Sequence, residues 1–208
     1  FKAALLPGLP RFCGGLAGYF GYDTVRYIEP KLANTTPKDE LFLPDIQLLL
    51  TEELAVIDNL AGKLYLIVYA NTEQANAYEK AQKRLQELLK SLDEPIRVEK
   101  SLASTKTEPV RHFGRDEFIK KVNLTKEYIL AGDCMQVVFG QRISQPYTDS
   151  PLTLYRALRS LNPSPYLYFY DFGDHQLVGS SPEILVRQEK VVSLDGSPQK
   201  RTVTVRPL

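Results

Sequence analysis

Paired apolar stretches separated by a few turn residues are the feature that most constrains the fold of this chain. In the first half, "ELAVID" and "KLYLIVYA" are joined by "NLAG", and "DIQLLL" precedes them. In the second half, "PYLYFYDFGDHQLVGSS" alternates aromatic and polar residues around residues 171–174, and "PEILVRQEKVVSLDGSPQKRTVTV" continues the pattern with a turn at residues 195–197. Two such stretches with a short connection are typical of a β-hairpin. The sequence therefore predicts several antiparallel sheets.

Helical periodicity is present between the predicted strands. After a cap at Asn71 or Thr72, apolar residues recur at steps of three and four. These residues are Tyr78, Ala81, Leu85, Leu88 and Leu92. A second helix is predicted from Arg115 to Leu130, with Gly132 as its C-terminal cap. A third begins after Ser150 with a proline in its first position. The predicted fold class is α+β, with antiparallel sheets and flanking helices.

Composition along the chain predicts two lobes. Residues 1–92 form a sheet-rich lobe, in which "GGLAGYFGYDTVRYIE" spaces glycines among aromatic residues, as in a bent strand approached closely by another backbone or a ligand. Residues 93–114 contain two prolines and no sustained period, which is typical of a linker. Residues 115–208 form the second lobe. Because the chain starts without Met and stops within a predicted strand, we expect a fragment of a longer protein.

The charge balance limits the classes of partner. The chain has 26 basic and 25 acidic residues and no Lys- or Arg-rich run, so it lacks the basic patch of a nucleic-acid-binding protein. Its apolar runs are far shorter than the ~20 residues that span a bilayer. We therefore expect a cytoplasmic protein that binds neither nucleic acid nor membrane. Cys13 and Cys134 are expected to be free thiols.

The segment "GDCMQVVFGQR", residues 132–142, is predicted to be a strand. Alternation would place Met135, Val137 and Phe139 on a core face, and Gln136 on the opposite face among small, apolar and polar groups. A buried amide without a partner costs about 1–3 kcal/mol, so Gln136 needs a partner. Two interpretations remain open: a structural glutamine bonded within the protein, or an amide directed into a pocket.

A resemblance to a known family rests on "AGDCMQVVFGQRIS", "RSLNPSPYLYFYDFGDHQLVGSSPEILVR" and the terminal "TVRPL". Together with "GGLAGYFGYDTVRYIE" near the start, these segments resemble, in the same order, the anthranilate synthase large-subunit family of chorismate-utilising enzymes. The resemblance implies part of an α/β sandwich of the anthranilate synthase type, larger than this chain.

The resemblance also implies an activity and partners. Such enzymes are lyases that convert chorismate and ammonia to aminodeoxyisochorismate, and then to anthranilate and pyruvate, in tryptophan biosynthesis. Mg²⁺ is the cofactor, tryptophan is a feedback inhibitor, and a glutamine amidotransferase subunit (component II) supplies the ammonia. The family's Mg²⁺-binding glutamates follow the last residue of this chain, so no metal site is expected here. The fragment alone is expected to be inactive.

Two residues match catalytic positions of the family. Gln136 stands where water-adding relatives have a lysine that acts as a base; a neutral amide can orient ammonia, whose lone pair needs no such activation. Glu183 in "GSSPEILVR" matches a carboxyl group that acts as general acid on the departing C4 hydroxyl, a role that contributes about 10²–10⁴-fold to rates. Without this motif, Glu183 would be interpreted as a surface or capping carboxylate.

A second group of residues matches the family's tryptophan site. The segment "NPSPYL" corresponds to the family's "NPSPYM", in which proline pre-shapes a wall and tyrosine offers a surface to an indole ring. The implied site is formed by Asn162, Pro163, Ser164, Pro165, Tyr166, Leu167 and Gly179, with Ser180 beside it. The alternative interpretation of this segment is a rigid turn before a strand.

Other functions remain open. Aminodeoxychorismate synthase component I of folate biosynthesis shares the implied fold and much of the "GDC-QV" stretch, although "MQVVFGQR" and "NPSPY" favour the anthranilate branch. Gln136 disfavours isochorismate- and salicylate-forming relatives, because these need the lysine. A third alternative is a tryptophan-sensing or partner-docking module without catalysis.

Overall fold

The computed structural model describes residues 6–96, 107–191 and 200–206. The chain divides into two compact units, Phe1–Arg97 and Val98–Leu208. Both units combine helices with antiparallel two-stranded sheets, which confirms the predicted α+β class. Much of the predicted linker at residues 93–114 lies outside the described residues, so the linker stays a prediction.

Within residues 6–96, unit 1 contains two antiparallel two-stranded sheets and one α-helix. Its elements are β1 (Gly15–Phe20), β2 (Ile46–Thr51), β3 (Glu53–Asp58), β4 (Lys63–Val68) and α1 (Ala77–Ser91). β1 pairs with β2, and β3 pairs with β4. Short 3-10 helices at Tyr22–Tyr27 and Pro30–Leu32 lie between β1 and β2. α1 packs against β4. The strands predicted from "DIQLLL", "ELAVID" and "KLYLIVYA" are confirmed. The bent strand predicted at residues 14–29 is confirmed only for Gly15–Phe20, because Tyr22–Tyr27 forms a 3-10 helix.

Local chemistry explains both sheets of unit 1. A Cβ atom on Gly18 would lie 2.1 Å from the carbonyl oxygen of Gln47, so the β2 backbone approaches β1 as closely as the glycine spacing predicted. In the β3–β4 turn, the carboxylate of Asp58 accepts hydrogen bonds from the backbone N–H groups of Leu60 and Ala61, at 3.0 and 2.9 Å. Gly62 supplies the positive φ of 61° that completes this turn.

The start of α1 differs from the prediction. The helix begins at Ala77, after Asn76 in left-handed backbone with φ 55°, and not directly after Asn71. Asn71 instead closes a turn: its Oδ1 accepts the N–H of Glu73, and its carbonyl oxygen accepts the N–H of Gln74, both at 3.0 Å. A short polar side chain that satisfies nearby backbone donors competes with helix formation. The predicted cap is therefore a turn residue.

Unit 2 contains two helices and three small sheets within its described residues. Its elements are β5 (Val110–Arg111), α2 (Arg115–Ala131), β6 (Ile143–Ser144), α3 (Pro151–Leu161), β7 (Tyr166–Asp171), β8 (Gln176–Ser181), β9 (Val186–Val191) and β10 (Lys200–Val205). The pairs are β5–β6, β7–β8 and β9–β10. The predicted cap residues of both helices are confirmed: Gly132 ends α2 with φ 85°, and Ser150 precedes α3. The predicted turn at residues 195–197 lies outside the described residues.

The predicted strand at residues 132–142 is wrong. Residues 134–142 are irregular, and strand structure begins only at Ile143. The predicted core face is exposed as well: 98% of Met135, 45% of Val137 and 36% of Phe139 is accessible to solvent. A strand persists where a neighbouring strand satisfies its backbone groups, and no described strand pairs with residues 134–142. Alternation in the sequence predicts which residues would share a face of a strand, but it does not show that a second strand is present to pair with it.

Burial is shallow throughout the described residues. Only Cys13 among them is less than a tenth exposed, at 7%, and its Sγ lies 3.5 Å from the hydroxyl of Tyr69. Both Cys13 and Cys134 are free thiols. In unit 2, α3 packs on the β7–β8 hairpin, where the rings of Tyr155 and Phe169 meet edge to face at 6.1 Å. Across the described parts of the chain, no helix has both the length and the apolar character needed to cross a membrane.

Candidate functional site

The β7–β8 hairpin brings together the residues predicted to form a tryptophan site. Its register places Tyr166 opposite Ser181, Leu167 opposite Ser180 and Tyr168 opposite Gly179. These positions lie at the end of the hairpin that leads into residues 162–165. Residues 162–165 and the end of β8 at residues 179–181, which were predicted to form one site, therefore lie close together in the structure.

Side-chain hydrogen bonds fix the turn before β7. The hydroxyl of Ser164 donates to the carbonyl oxygen of Ser181, and its oxygen accepts the backbone N–H of Tyr166 at 3.0 Å. On the other strand, the hydroxyl of Ser180 donates to the carbonyl oxygen of Asn162 at 3.0 Å. The segment 162–165 is thus attached to the end of β8 at two points. Binding of tryptophan at this place stays a prediction.

Gly179 has a packing role that explains the absence of a side chain. A Cβ atom there would lie 2.2 Å from Cζ of Tyr168, because the phenol ring covers the glycine. The same ring lies 5.6 Å from the ring of Tyr170, which stacks on Phe172 at 5.8 Å. The rings of Tyr168, Tyr170 and Phe172 therefore form a row, and the first of them lies over Gly179 of β8.

The turn between β7 and β8 satisfies its charges locally. Hydrogen bonds from the backbone of Gly173 and from the side chain of Gln176 lower the pKa of Asp171. A hydrogen bond with His175, at 2.8 Å, lowers the pKa of Asp174. The other ring nitrogen of His175, Nε2, is buried without a partner in the described structure. These groups stabilise the hairpin turn, which is the end of the hairpin remote from residues 162–165.

Glu183 lies between β8 and β9, with 35% of its side chain exposed. The hydroxyl of Ser181 donates to the carbonyl oxygen of Glu183 at 3.0 Å. Nη1 of Arg206 lies 3.5 Å from Oε1 of the same residue. Arg206 was missed as a site residue: the sequence offered it within the "TVRPL" motif, but a motif does not show which side chain an arginine meets. The role of Glu183 as an acid stays a prediction.

Gln136 occupies a different environment from the one expected. It is exposed, it lies on the irregular segment 134–142, and its side chain makes no hydrogen bond within the described residues. The expected burial of Gln136 is therefore wrong. No contact in the described structure joins Gln136 to Glu183. The catalytic role of the amide stays a prediction from the family motif.

Beside the β5–β6 pair, next to segment 134–142, His112 forms hydrogen bonds with Arg142 and Ser144. The backbone N–H of His112 donates to the carbonyl oxygen of Arg142 at 3.1 Å, and Nη2 of Arg142 donates to Nδ1 of the same histidine at 3.1 Å. Because arginine only donates, Nδ1 is the acceptor and Nε2 carries the hydrogen. Nε2 then donates to the hydroxyl of Ser144 at 2.8 Å. A histidine that donates to a serine cannot remove its proton, so this arrangement is structural and not a nucleophile–base pair.

Unit 1 contains a polar groove of about 280 Å³ between α1 and the end of the β3–β4 hairpin. Its walls include Glu53, Tyr69, Lys80 and Arg84. Two hydrogen bonds, 2.8 and 2.9 Å long, join the guanidinium of Arg84 to the carboxylate of Glu53. They lower the pKa of Glu53 and raise that of Arg84. Glu53 and Arg84 therefore neutralise each other and attach α1 to β3.

Within residues 6–96, 107–191 and 200–206, no three His, Cys, Asp or Glu side chains are grouped as metal ligands. The expectation that Mg²⁺ binds through other parts of a longer protein stays a prediction.

Comparisons with known proteins identify relatives along nearly the whole chain. Residues 2–208 match the profile of a family described as chorismate binding enzyme. The chain is 56% identical to anthranilate synthase component 1 of Neisseria meningitidis serogroup B over 193 residues, which cover 91% of this chain and 39% of that protein. It is 49% identical to the same-named protein of Pseudomonas aeruginosa over 213 residues, covering 100% of this chain and 41% of that protein.

A solved structure is similar as well. The crystal structure of anthranilate synthase component I from Streptococcus pneumoniae superimposes with a TM-score of 0.76 at 34% sequence identity. The match covers 92% of this chain and 42% of that one. The chain therefore spans about two fifths of the length of the relatives it matches.

Proposed function

The chain belongs to the chorismate binding enzyme family, and on that premise we propose that it is part of an anthranilate synthase component I. The observation that carries the proposal is its similarity to proteins of that name along nearly its whole length. The proposed lyase converts chorismate and ammonia to anthranilate and pyruvate in tryptophan biosynthesis. A cytoplasmic glutamine amidotransferase partner delivers the ammonia, and Mg²⁺ binds through residues outside this chain.

The proposed amination uses Glu183 as the general acid. The lone pair of ammonia forms the new C–N bond on the chorismate ring while the ring double bonds shift. The C4–O bond breaks with its electron pair on oxygen, which takes the proton of Glu183 and leaves as water. The ammonium group formed on the ring then loses a proton, so that chorismate and ammonia give aminodeoxyisochorismate and water. The contacts of Glu183 with Ser181 and Arg206 support this proposal.

Identification of the product tests the proposal. We expect the longer protein that contains this chain, supplied with chorismate, ammonium and Mg²⁺, to release anthranilate and pyruvate in equal amounts. The folate-branch alternative predicts an aminated chorismate that keeps its pyruvyl group. Aminated product without pyruvate would contradict the anthranilate assignment, and absence of any turnover of chorismate would favour the non-catalytic alternative.

The proposed role of Gln136 is to orient ammonia without acting as a base. We expect Gln136→Lys to form hydroxylated product from water, because a lysine amine can remove a proton from water whereas an amide cannot. Because this product has the same mass as chorismate, the reaction is run in ¹⁸O-labelled water, which makes the water-addition product heavier; mass spectrometry then measures the ratio of water-addition product to aminated product. Gln141→Lys, on the same exposed segment, is the matched control and should leave this ratio unchanged. If Gln136→Lys yields only aminated product at an unchanged rate, the role assigned to Gln136 is wrong.

Feedback inhibition by tryptophan is proposed to act at residues 162–167 with Gly179. Tyr166 is half-buried at the start of β7 and directly follows Pro165 in the chain. Because an aromatic ring contributes about 1 kcal/mol to stacking, we expect Tyr166→Ala to raise the half-inhibitory tryptophan concentration about fivefold. Tyr128→Ala on exposed α2 is the control. Equal inhibition of both variants would contradict this assignment.

A further inference from the structure

Arg206 lies directly after β10, opposite the residue that precedes β9. β9 and β10 begin their pairing with Val186 opposite Val205. The backbone N–H of Arg206 donates to the carbonyl oxygen of Leu185 at 3.3 Å, which extends this pairing by one position. From there its Nη1 lies 3.5 Å from Oε1 of Glu183. Strand register therefore determines where the guanidinium meets the carboxyl group.

The carboxyl group of Glu183 is held on one side and open on the other. Ser181 fixes the backbone through its hydrogen bond to the Glu183 carbonyl oxygen, at 3.0 Å, and Arg206 contacts Oε1. Within the described residues, Oε2 accepts no hydrogen bond. The side chain of Glu183 is 35% exposed. One oxygen is thus bound by protein, while the second is available to a ligand.

We infer that Arg206 is a positioning residue that binds Oε1 of Glu183 and so places the transferable proton on Oε2. A protonated carboxyl group has one oxygen that carries hydrogen and one that only accepts. Arginine is always charged and only donates, so the oxygen it binds is the one without hydrogen. This inference rests on the proposed function, in which Glu183 is the general acid.

The positioning has a consequence for each stage of the proton transfer. Before the reaction, it directs the O–H group to the open side of the carboxyl group. As the C4–O bond breaks, the proton moves from Oε2 to the leaving oxygen, which departs as water. Glu183 is then a carboxylate, and its contact with Arg206 becomes an ion pair that stabilises the negative charge. A displacement of a reacting group by about 1 Å can reduce a rate about 100-fold.

Three substitutions in the complete enzyme, assayed with chorismate and ammonium, test the inference. We expect Arg206→Met, which keeps an unbranched stem but removes every donor, to lower kcat about tenfold while KM stays within about twofold. Arg206→Lys keeps a charged donor and should restore most of kcat. Arg201→Met removes a charge from an exposed position on β10, the strand that precedes Arg206, and should behave as the parent enzyme. If Arg206→Lys is no better than Arg206→Met, or if KM changes in place of kcat, the inference is overturned.

A double variant separates failure of this inference from failure of the proposed function. If Arg206 acts through Glu183, Arg206→Met should cause no further loss of kcat in an enzyme that already carries Glu183→Gln. If the loss of kcat in the double variant equals the product of the losses in the two single variants, Arg206 acts independently of Glu183. That result overturns the inference, while the acid role of Glu183 stands. Full activity of Glu183→Gln alone would instead contradict the proposed function, and the inference with it.

Discussion

Gly18 lies where the backbone of β2 leaves no room for a side chain on β1. Any side chain there would meet the carbonyl oxygen of Gln47 at 2.1 Å and Cα of Leu48 at 2.9 Å. Backbone atoms cannot rotate away as the end of a long side chain can. Relief therefore requires the two strands to separate, with loss of the hydrogen bonds that pair them.

We expect Gly18→Ala to lower the free energy of unfolding by about 1–3 kcal/mol, as overpacking typically does. Gly140→Ala is the matched control, since no atom lies within 4 Å of the Cβ position at Gly140 and its φ is not in the left-handed region. Urea unfolding followed by circular dichroism measures both. Equal midpoints for the two variants would show that the strands are not in close contact at Gly18.

Single residues with a strict local requirement could be predicted from the sequence. The glycine at 132 and the serine at 150 follow from the geometry of helix ends, and the structure confirms both. Asn71 was assigned to the wrong local structure, because an asparagine caps helices and closes turns by the same kind of hydrogen bond. The contact of Arg206 with Glu183 depends on strand register, which sequence patterns do not specify.

At the scale of elements, α1 is attached to the β3–β4 hairpin by an ion pair as well as by packing. Arg84 lies on α1 and bonds Glu53 on β3 through two hydrogen bonds, and also lies 3.2 Å from Glu87. These contacts lower the pKa of Glu53, so the folded state favours the carboxylate. A carboxyl group with a lowered pKa stabilises the fold above its unfolded pKa of about 4.3 and loses this contribution as pH falls through the folded pKa.

We therefore expect Glu53→Gln to destabilise the protein at pH 7 and to have a smaller effect near pH 3, where the carboxylate is increasingly protonated in the parent protein as well. The effect at pH 7 should also decrease in about 1 M NaCl, because the pair is exposed to solvent. Glu52→Gln is the control on the neighbouring exposed residue. Urea midpoints at both pH values give the comparison. An equal loss at both would contradict the ion-pair account.

Hairpins were the elements that the sequence predicted best. Each hairpin carries its own partner strand and its own turn chemistry within about twenty residues, so the information is local. The segment 132–142 has an equally good alternating pattern but no described partner, and it is irregular. Its failure shows that alternation predicts a strand only when a neighbouring strand is also present.

At the scale of the whole molecule, several apolar faces lack a cover in the described structure. On β1 and β2, Leu16 lies opposite Leu50, and Phe20 lies opposite Ile46, all on one face. Their exposed fractions are between 42% and 65%. Monomeric proteins rarely expose contiguous apolar patches of this kind. The chain spans about two fifths of the length of its relatives, whose longer chains offer further protein surface.

We expect the 208-residue chain, expressed alone, to bind the dye ANS through these faces and to lack chorismate-converting activity. The double variant Phe20→Ser with Leu50→Ser should bind less ANS than the parent chain. Leu60→Ser is the control, because Leu60 is fully exposed in the β3–β4 turn and outside this face. Equal dye binding by the double variant and the parent chain would exclude the β1–β2 face as the binding surface.

The central claim is that Glu183 and Gln136 act on one chorismate molecule. A crystal structure of the longer protein with chorismate bound tests it most directly, through two distances. We predict that a carboxyl oxygen of Glu183 lies within about 3.2 Å of the C4 hydroxyl oxygen, and that the Gln136 amide lies within hydrogen-bond reach of the ammonia position beside the same ring. A ligand that contacts neither side chain, or protein packed between the two residues, would contradict the claim.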